Sequence, residues 1–125
     1  QAYVRDHPDE FLQPSGFVYH ETRTGSTLVA NMLAHVPSNL VVSENSLAED
    51  PARRCSSCSP EQKTRLLRDV LTLMGSSSAD HTHLFFKFQD SMTLGEMRKA
   101  FPDASWVFLF RDPVEVMVSN LKVKL

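Results

Sequence analysis

The sequence predicts an α/β fold whose strands form a parallel sheet. Short apolar runs recur along the 125 residues, and segments with apolar residues at helical spacing stand between them. These runs are apolar throughout, which is typical of strands that helices cover on both faces. A chain of this length can bury a core of its own, so we predict a single domain over 1–125, with a lead-in over 1–16.

The first predicted strand and helix are separated by a loop that contains glycine. The run FVY at 17–19 follows Pro14 and Gly16, and it predicts a short buried strand. Apolar residues recur at helical spacing over 28–36, and Pro37 ends that predicted helix. The run LVV at 40–42 predicts a second strand. The segment SENSLAEDPARRCSSC at 43–58 is polar, and we expect a loop there.

The middle of the chain carries clear helix signals. Ser59 can cap a helix, Pro60 suits its first turn, and Gln62 completes a capping box. Apolar residues at helical spacing continue to Met74, and Gly75 suits the end of the helix. The run LFFKF at 84–88 then predicts a third strand.

The last third of the chain continues with helix, strand and helix. Thr93 and Glu96 have the spacing of a capping pair for a short helix that ends before Pro102. The run WVFLF at 106–110 predicts a fourth strand, and we expect Trp106 to lie in the core. Asp112 can cap a final helix.

Each predicted strand has polar residues at or just past its end. They are His20, Glu44, Lys87 with Gln89, and Arg111. In sheets of this kind, ligands bind beyond the carboxyl ends of the strands. The sequence therefore predicts a polar site along one edge of the sheet.

The loop after the first strand has the composition of an anion site. It consists of Arg23, Thr24, Gly25, Ser26 and Thr27. Backbone N–H groups and the helix dipole favour an anion at a helix start, and glycine allows the backbone to approach it closely. The two hydroxyl residues and the guanidinium add further donors. For the loop taken alone, the alternative is a capped helix start with a surface arginine.

A second pattern lies in FLFRDPVEVMVSN at 108–120. Arg111 closes the fourth strand, and Ser119 follows eight residues later on the predicted helix. At a rise of about 1.5 Å per residue, Ser119 lies roughly two turns along that helix. Both side chains could line one groove and hold a phosphate. The alternative is a surface pair between Arg111 and Asp112 with an incidental serine.

Together the two patterns resemble the motifs of the sulfotransferase family, whose donor is 3′-phosphoadenosine 5′-phosphosulfate (PAPS). Residues 23–27 match its 5′-phosphosulfate loop, and Arg111, Asp112, Pro113 and Ser119 match its 3′-phosphate motif. The arginine form of the loop is closer to the Golgi tyrosylprotein type and to bacterial relatives than to the cytosolic lysine type. The resemblance covers 17–125 as the PAPS-binding core of a partial domain, apparently truncated at its C-terminus.

The resemblance implies a three-layer P-loop-type fold with the strand order 2-3-1-4. It further implies two groups of donor-binding residues, which are Arg23, Thr24, Gly25, Ser26 and Thr27 for the 5′-phosphosulfate, and Arg111 with Ser119 for the 3′-phosphate. ATP-binding loops have a lysine where this chain has Ser26. A sulfuryl group carries less charge than a phosphoryl group, so no metal is expected.

The resemblance also implies catalytic roles for three residues. The tyrosylprotein type uses a glutamate in the matching loop as base, and Glu44 matches it by position, with a solvated loop acid as the alternative. Lys87 matches a lysine near the transferring group and would stabilise charge there, with a lysine whose stem packs while its head reaches water as the alternative. Arg23, which would hold the 5′-phosphate next to the sulfate, is the third catalytic candidate. The cytosolic type has a catalytic histidine where this chain has Gln89, which moves the base role to Glu44. We expect His20 to be structural.

Composition narrows the classes of partner. A net charge of −2 with mixed signs argues against a general nucleic-acid or anionic-membrane binder, and no apolar run reaches the roughly 18 residues of a membrane helix. Cys55 and Cys58 could form a local disulfide, a thiol pair or, with His81 and His83, part of a zinc site; we expect a pair without metal. For the location of the protein, the Golgi lumen and the cytoplasm are both compatible with the sequence.

The sequence thus predicts a PAPS-dependent sulfotransferase that acts on a hydroxyl or amine acceptor. The acceptor could be a carbohydrate, a protein tyrosine or a small molecule. Two alternatives stay open. A P-loop kinase or NTPase would use Mg·ATP, with Asp90 and Asp112 as candidate acidic partners. A truncated, non-catalytic anion-binding domain would fold and bind weakly without turnover.

Overall fold

The structure is a computed structural model that describes residues 2–77, 80–89 and 92–123. Its strands are β1 Pro14–His20, β2 Asn39–Ser43, β3 His83–Phe88 and β4 Ser105–Leu109. Its helices are α1 Ala2–Asp6, α2 Ser26–Ala34, α3 Ser46–Arg54, α4 Pro60–Met74, α5 Leu94–Ala100 and α6 Pro113–Val123, with a 3₁₀ turn at Pro8–Glu10. None of the helices in the described ranges is long and apolar enough to span a membrane.

The four strands form one parallel sheet in the order β2-β3-β1-β4. This confirms the predicted α/β class and the predicted strand order. In register, Tyr19 of β1 pairs with Phe88 of β3, and His20 pairs with Leu109 of β4. The carboxyl ends of the three strands therefore lie side by side, so the polar residues that follow them can meet.

The main core lies on the sheet face that α3, α4 and α5 cover. Successive strand residues point to opposite faces, and Phe17 and Tyr19 of β1 share this face with Phe86 and Phe88 of β3. The rings of Phe17 and Phe86 stack at 6.1 Å between centroids. Each such ring contributes about 1.5–3 kcal/mol when it is fully buried. Packing on this face holds the sheet in place, and the site lies at the carboxyl ends of its strands.

The opposite face carries the polar strand ends and is covered in part by α2. Val18 and His20 of β1 and Lys87 of β3 are buried there. Trp106 is 47% exposed and lies under the guanidinium of Arg98, so the prediction of a core tryptophan is wrong. The physical reason is that β4 is at an edge of this sheet, where apolar side chains on both faces have fewer neighbours.

The predicted helix caps are confirmed where the two capping partners are close together in the sequence. The Ser59 hydroxyl accepts from the Gln62 N–H at 3.2 Å, and the Gln62 side chain accepts from the Ser59 N–H at 2.7 Å, which is the predicted capping box. Asp112 accepts from the Val114 N–H at 2.8 Å at the start of α6. Thr93 stands at the N-cap of α5 as predicted, but its side chain makes no cap hydrogen bond. Its hydroxyl donates to the buried carboxylate of Glu49 on α3 instead.

The segment predicted as a loop over 43–58 contains the helix α3. Asn45 caps it by accepting from the Leu47 N–H at 3.0 Å, and Ala48 and Ala52 are buried one turn apart. Pro51 lies inside the helix, where it removes one backbone donor. Tertiary packing of the alanine face against the core overrides the polar composition of the segment.

Glycine is required at position 75 because there is no room for a side chain, and not because of its backbone conformation. Its φ of −80° is open to any residue. A Cβ at this position would collide with the carbonyl oxygen of Leu12, since the lead-in passes directly over the helix end. The Leu12 N–H donates to the Gly75 carbonyl at 2.9 Å, which fixes the lead-in against α4.

Candidate active site

The loop between β1 and α2 is held in a tight turn by its own backbone. Gly25 has a φ of 84°, in the left-handed region that glycine adopts without a steric penalty. The Thr24 hydroxyl donates to the Glu21 carbonyl at 2.9 Å, and the Glu21 N–H donates to the Leu109 carbonyl at 3.2 Å. The first N–H groups of α2, which begins at Ser26, therefore stand at the mouth of the turn, where a helix has donors to offer.

These residues line a cleft of about 440 Å³, called here the loop cleft. This volume lies within the range of small-molecule sites, roughly 300–1,000 Å³. Ten residues border it, namely residues 22–27 together with His20, Glu44, Gln89 and Ser119. The cleft thus joins groups that follow β1, β2 and β3 with a residue of α6.

Two non-glycine residues of the described ranges have a positive φ, and both line the loop cleft. Arg23 has a φ of 61° and Glu44 a φ of 47°. Such conformations are uncommon for residues with a Cβ, and they concentrate at functional sites. In this structure the surrounding contacts hold them, since the Glu44 N–H donates to the Lys87 carbonyl at 2.8 Å. The strain coincides with the two residues that the sequence singled out for charge and proton chemistry.

Arg23 connects the loop to α6. Its Nε donates to the Ser119 hydroxyl at 3.0 Å, and its Nη2 lies 3.4 Å from the Ser119 carbonyl oxygen. The planar guanidinium can hold two such acceptors at once and keeps further N–H groups for a ligand. The two predicted phosphate motifs therefore touch each other through this pair.

Two buried basic side chains contact the carboxylate of Glu44. Its Oε1 lies 2.8 Å from Lys87 Nζ and 3.1 Å from His20 Nε2. Lys87 and His20 are each 4% exposed, whereas the Glu44 side chain is 45% exposed. The contact with His20 is close but is not aligned as a hydrogen bond. The carboxylate thus faces the cleft on one side and a buried basic pair on the other.

The charge state of Glu44 is set mainly by Lys87. The hydrogen bond from the Lys87 ammonium lowers the pKa of the Glu44 carboxyl below its ordinary value of 4.5, and partial burial acts in the opposite direction. The positive charge of Lys87 lowers this pKa further, and the contact with His20 acts in the same direction. Glu44 is therefore ionised at neutral pH and balances the buried lysine.

Arg111 lies outside the loop cleft. Its Nε is 2.6 Å from Glu115 Oε2, one turn further along α6. Arg111 borders a separate cleft of about 350 Å³, called here the α6 cleft, with Glu115, Ser119 and Lys122 among its lining. Ser119 borders both clefts. The structure thus brings Ser119 to the loop but leaves Arg111 on the far side of that serine, paired with a carboxylate.

Two residues of this region were given no site role by sequence reasoning. His20 was expected to be structural, yet its ring lies beside Glu44 in the loop cleft. Lys122 stands three residues after Ser119 on α6, a spacing that places both on one helix face and could have signalled it.

Asp90 and Asp112 were the acidic residues considered for a metal-dependent alternative. The Asp112 carboxylate accepts a hydrogen bond from the Val114 N–H at the start of α6, and Asp90 lies outside the described residues. Across the described ranges, no group of three His, Cys, Asp or Glu side chains has the arrangement of a metal site. Cys55 and Cys58 form a disulfide, so the alternative of zinc thiolates is wrong for this pair.

The fold is similar to that of a solved bacterial protein. Sulfotransferase STF9 from Mycobacterium avium superposes on 98% of this chain with a TM-score of 0.51 and 17% sequence identity. This chain has a sulfotransferase-like fold. It spans half the length of that protein, since the match covers 50% of the STF9 chain. No model of a known protein family matches the sequence, and no curated protein matches it either.

Proposed function

We propose that the protein transfers a sulfuryl group from PAPS to a hydroxyl or amine acceptor. One observation carries this proposal. Arg23, Glu44 and Ser119 line one cleft above a helix N-terminus, and the buried Lys87 reaches Glu44 Oε1 at 2.8 Å from behind it. The sulfotransferase-like fold supports it. The cleft thereby combines an anion cradle, the Arg23 guanidinium and a carboxylate that is bonded to a buried lysine.

The donor would lie with its 5′-phosphosulfate in the loop cleft. The backbone N–H groups at the start of α2, the hydroxyls of Thr24, Ser26 and Thr27 and the Arg23 guanidinium supply donors for its oxygens. Nothing in the surroundings would contact a Cβ at Gly25, so space is open for a ligand directly beside the turn. The cleft therefore fits a phosphosulfate in size and in polarity.

The 3′-phosphate would bind beside α6. The α6 cleft offers Arg111, Ser119 and Lys122, and it adjoins the loop cleft at Ser119. Arg111 forms an ion pair with Glu115, with side chains 45% and 59% exposed, and exposed pairs of this kind contribute little stability. A phosphate could therefore displace Glu115 at small cost.

The transfer step needs a base and positive charge on the leaving group. The acceptor atom forms a bond to sulfur as the bond from sulfur to the bridging phosphate oxygen breaks, and the acceptor proton passes to Glu44. Arg23 and Lys87 would stabilise the charge that grows on the phosphate. Glu44 presents Oε1 to both basic partners, which leaves Oε2 for the acceptor.

Lys87 would hold two positions in turn. Without donor it binds Glu44 and keeps the pKa of that carboxyl low, which makes Glu44 a weak base. The anionic sulfuryl group would draw the ammonium toward itself, and the basicity of Glu44 would then rise. Donor binding would thus prepare the base for the acceptor, which we expect to be a carbohydrate, a protein tyrosine or a small molecule.

Transfer from labelled donor tests the proposal. We would incubate the chain with ³⁵S-labelled PAPS and a panel of acceptors that contains a sugar, a tyrosine peptide, a phenol and an amine. We expect label on at least one acceptor with the wild-type chain and a loss of roughly 10²–10⁴-fold in Glu44→Gln. Asp103→Asn, on an exposed loop, is the control. Phosphoryl transfer from Mg·ATP without sulfuryl transfer would refute the proposal in favour of a kinase.

A further inference from the structure

His20 is a buried titratable residue that the roles above leave unused. It is the last residue of β1, and its ring borders the loop cleft behind Glu44. Burying a polar side chain is costly unless its nitrogens find partners. The partners of the two ring nitrogens therefore indicate what the residue does.

The Nδ1 side of the ring is fixed by the backbone. Nδ1 lies 2.9 Å from the carbonyl oxygen of Glu21. A carbonyl oxygen can only accept a hydrogen bond, so Nδ1 carries the proton of the neutral ring. Nε2 is consequently the basic nitrogen, and it faces Glu44.

The Nε2 side of the ring is in contact with a carboxylate. The distance from Nε2 to Glu44 Oε1 is 3.1 Å, and Lys87 Nζ reaches the same oxygen at 2.8 Å. A lone pair and an ionised carboxylate repel each other, so the contact becomes favourable when one proton lies between them. Among the described residues, the other charged groups nearby are Arg23, which lines the cleft, and the exposed side chain of Glu21.

We propose that His20 is a positioning residue that acts through Glu44, and that its Nε2 takes over the proton which Glu44 receives from the acceptor. This inference rests on the proposed sulfuryl transfer. The acceptor proton first joins the Glu44 carboxylate as the new bond to sulfur forms. The carboxyl group then turns so that its protonated oxygen faces the ring, and the proton moves to Nε2, which leaves an imidazolium beside a regenerated carboxylate. Solvent removes the proton after the products leave.

The shared proton can be measured without donor. We would record ring ¹⁵N spectra of His20 against pH in the wild-type chain and in Glu44→Gln. We expect a neutral ring protonated at Nδ1, and an Nε2 resonance that shifts in Glu44→Gln because the ring loses its carboxylate contact. A neutral ring protonated at Nε2, or an Nε2 resonance that Glu44→Gln leaves unchanged, would overturn the proposal whatever the protein catalyses.

Two variants separate proton transfer from a structural role. The amide nitrogen of His20→Asn can replace Nδ1 toward Glu21, and that of His20→Gln can replace Nε2 toward Glu44, but neither amide titrates. We expect both variants to bind adenosine 3′,5′-bisphosphate as the wild type does. Both should lose kcat by about 10–100-fold, as for other groups that orient a reacting side chain, with the acceptor KM little changed.

The pH profile of kcat provides the decisive readout. The acid limb of the wild-type profile should move to lower pH in both variants, because neither amide can take up the proton. A wild-type rate and profile in either variant would show a structural role and overturn the proposal. A wild-type chain that binds no PAPS would refute the proposed function itself, and the ¹⁵N result would still decide the shared proton separately.

Discussion

Arg23 and Ser119 are 96 residues apart in the sequence, and a hydrogen bond of 3.0 Å joins their side chains. The contact exists because β1 and β4 are neighbours in the sheet, so the loop after one strand meets the helix after the other. We infer that the two predicted phosphate motifs form one continuous surface, with Ser119 at their junction.

This surface predicts separate roles for its two arginines. Arg23→Ala should weaken binding of AMP and of adenosine 3′,5′-bisphosphate alike, by about 10–100-fold, the loss expected for hydrogen bonds to a charged group. Arg111→Ala should weaken binding of the bisphosphate while AMP binding stays unchanged. Arg65→Ala, on the exposed side of α4, is the control. Calorimetric titrations of both nucleotides check the prediction, and equal losses for both nucleotides in Arg111→Ala would contradict it.

Gly25→Ala should destabilise the loop through its backbone alone. Nothing lies within 4 Å of the added Cβ, but the φ of 84° is left-handed, which costs roughly 1–2 kcal/mol for a residue with a side chain. We expect that loss in the free energy of unfolding, together with weaker nucleotide binding. Gly95→Ala on α5 is the matched control, since its Cβ also meets nothing. Gly95→Ala should leave the free energy of unfolding unchanged or raise it by up to about 1 kcal/mol. Urea titrations measure both, and equal effects would contradict the account.

The Glu44–Lys87 pair predicts a dependence of stability on pH. The folded chain lowers the pKa of Glu44 below 4.5, so the pair stabilises the fold above that pH and loses its contribution as pH falls through the folded value. The difference in unfolding free energy between the wild type and Glu44→Gln should therefore be constant from neutral pH down to 4.5 and shrink below it. Denaturant titrations across this range measure the difference. A difference that grows on acidification would have the wrong sign.

Thr93→Val should destabilise the fold far from the cleft. The Thr93 hydroxyl donates to Glu49, and both side chains are buried. Removing the donor should cost about 1–3 kcal/mol, because a buried carboxylate loses a hydrogen bond. Thr64→Val, in which the hydroxyl that donates to the Pro60 carbonyl one turn away is lost, should change stability by no more than about 0.5 kcal/mol. Urea titrations measure both variants, and nucleotide binding should be equal in the two.

The sequence predicted those features whose causes are local. The capping box of α4 lies within four residues, and the cap of α6 lies within three. The apolar runs predicted the strands, and the glycine turn predicted the loop. Such signals need no knowledge of distant parts of the chain.

The features that sequence reasoning missed depend on tertiary contacts. Helix α3 exists because Ala48 and Ala52 pack on the core, and the charges and the proline around them concealed that spacing. The exposure of Trp106 follows from the position of β4 at the sheet edge. The contact between His20 and Glu44 joins two strand ends that no local pattern relates.

The measurement that tests the central claim most directly is a calorimetric titration of adenosine 3′,5′-bisphosphate into the wild-type chain without metal, with Mg·ATP in parallel. The account predicts metal-independent binding of the bisphosphate, tighter than that of AMP and weakened about 10–100-fold in Arg23→Ala. Binding of Mg·ATP with no preference for a 3′-phosphate would contradict it.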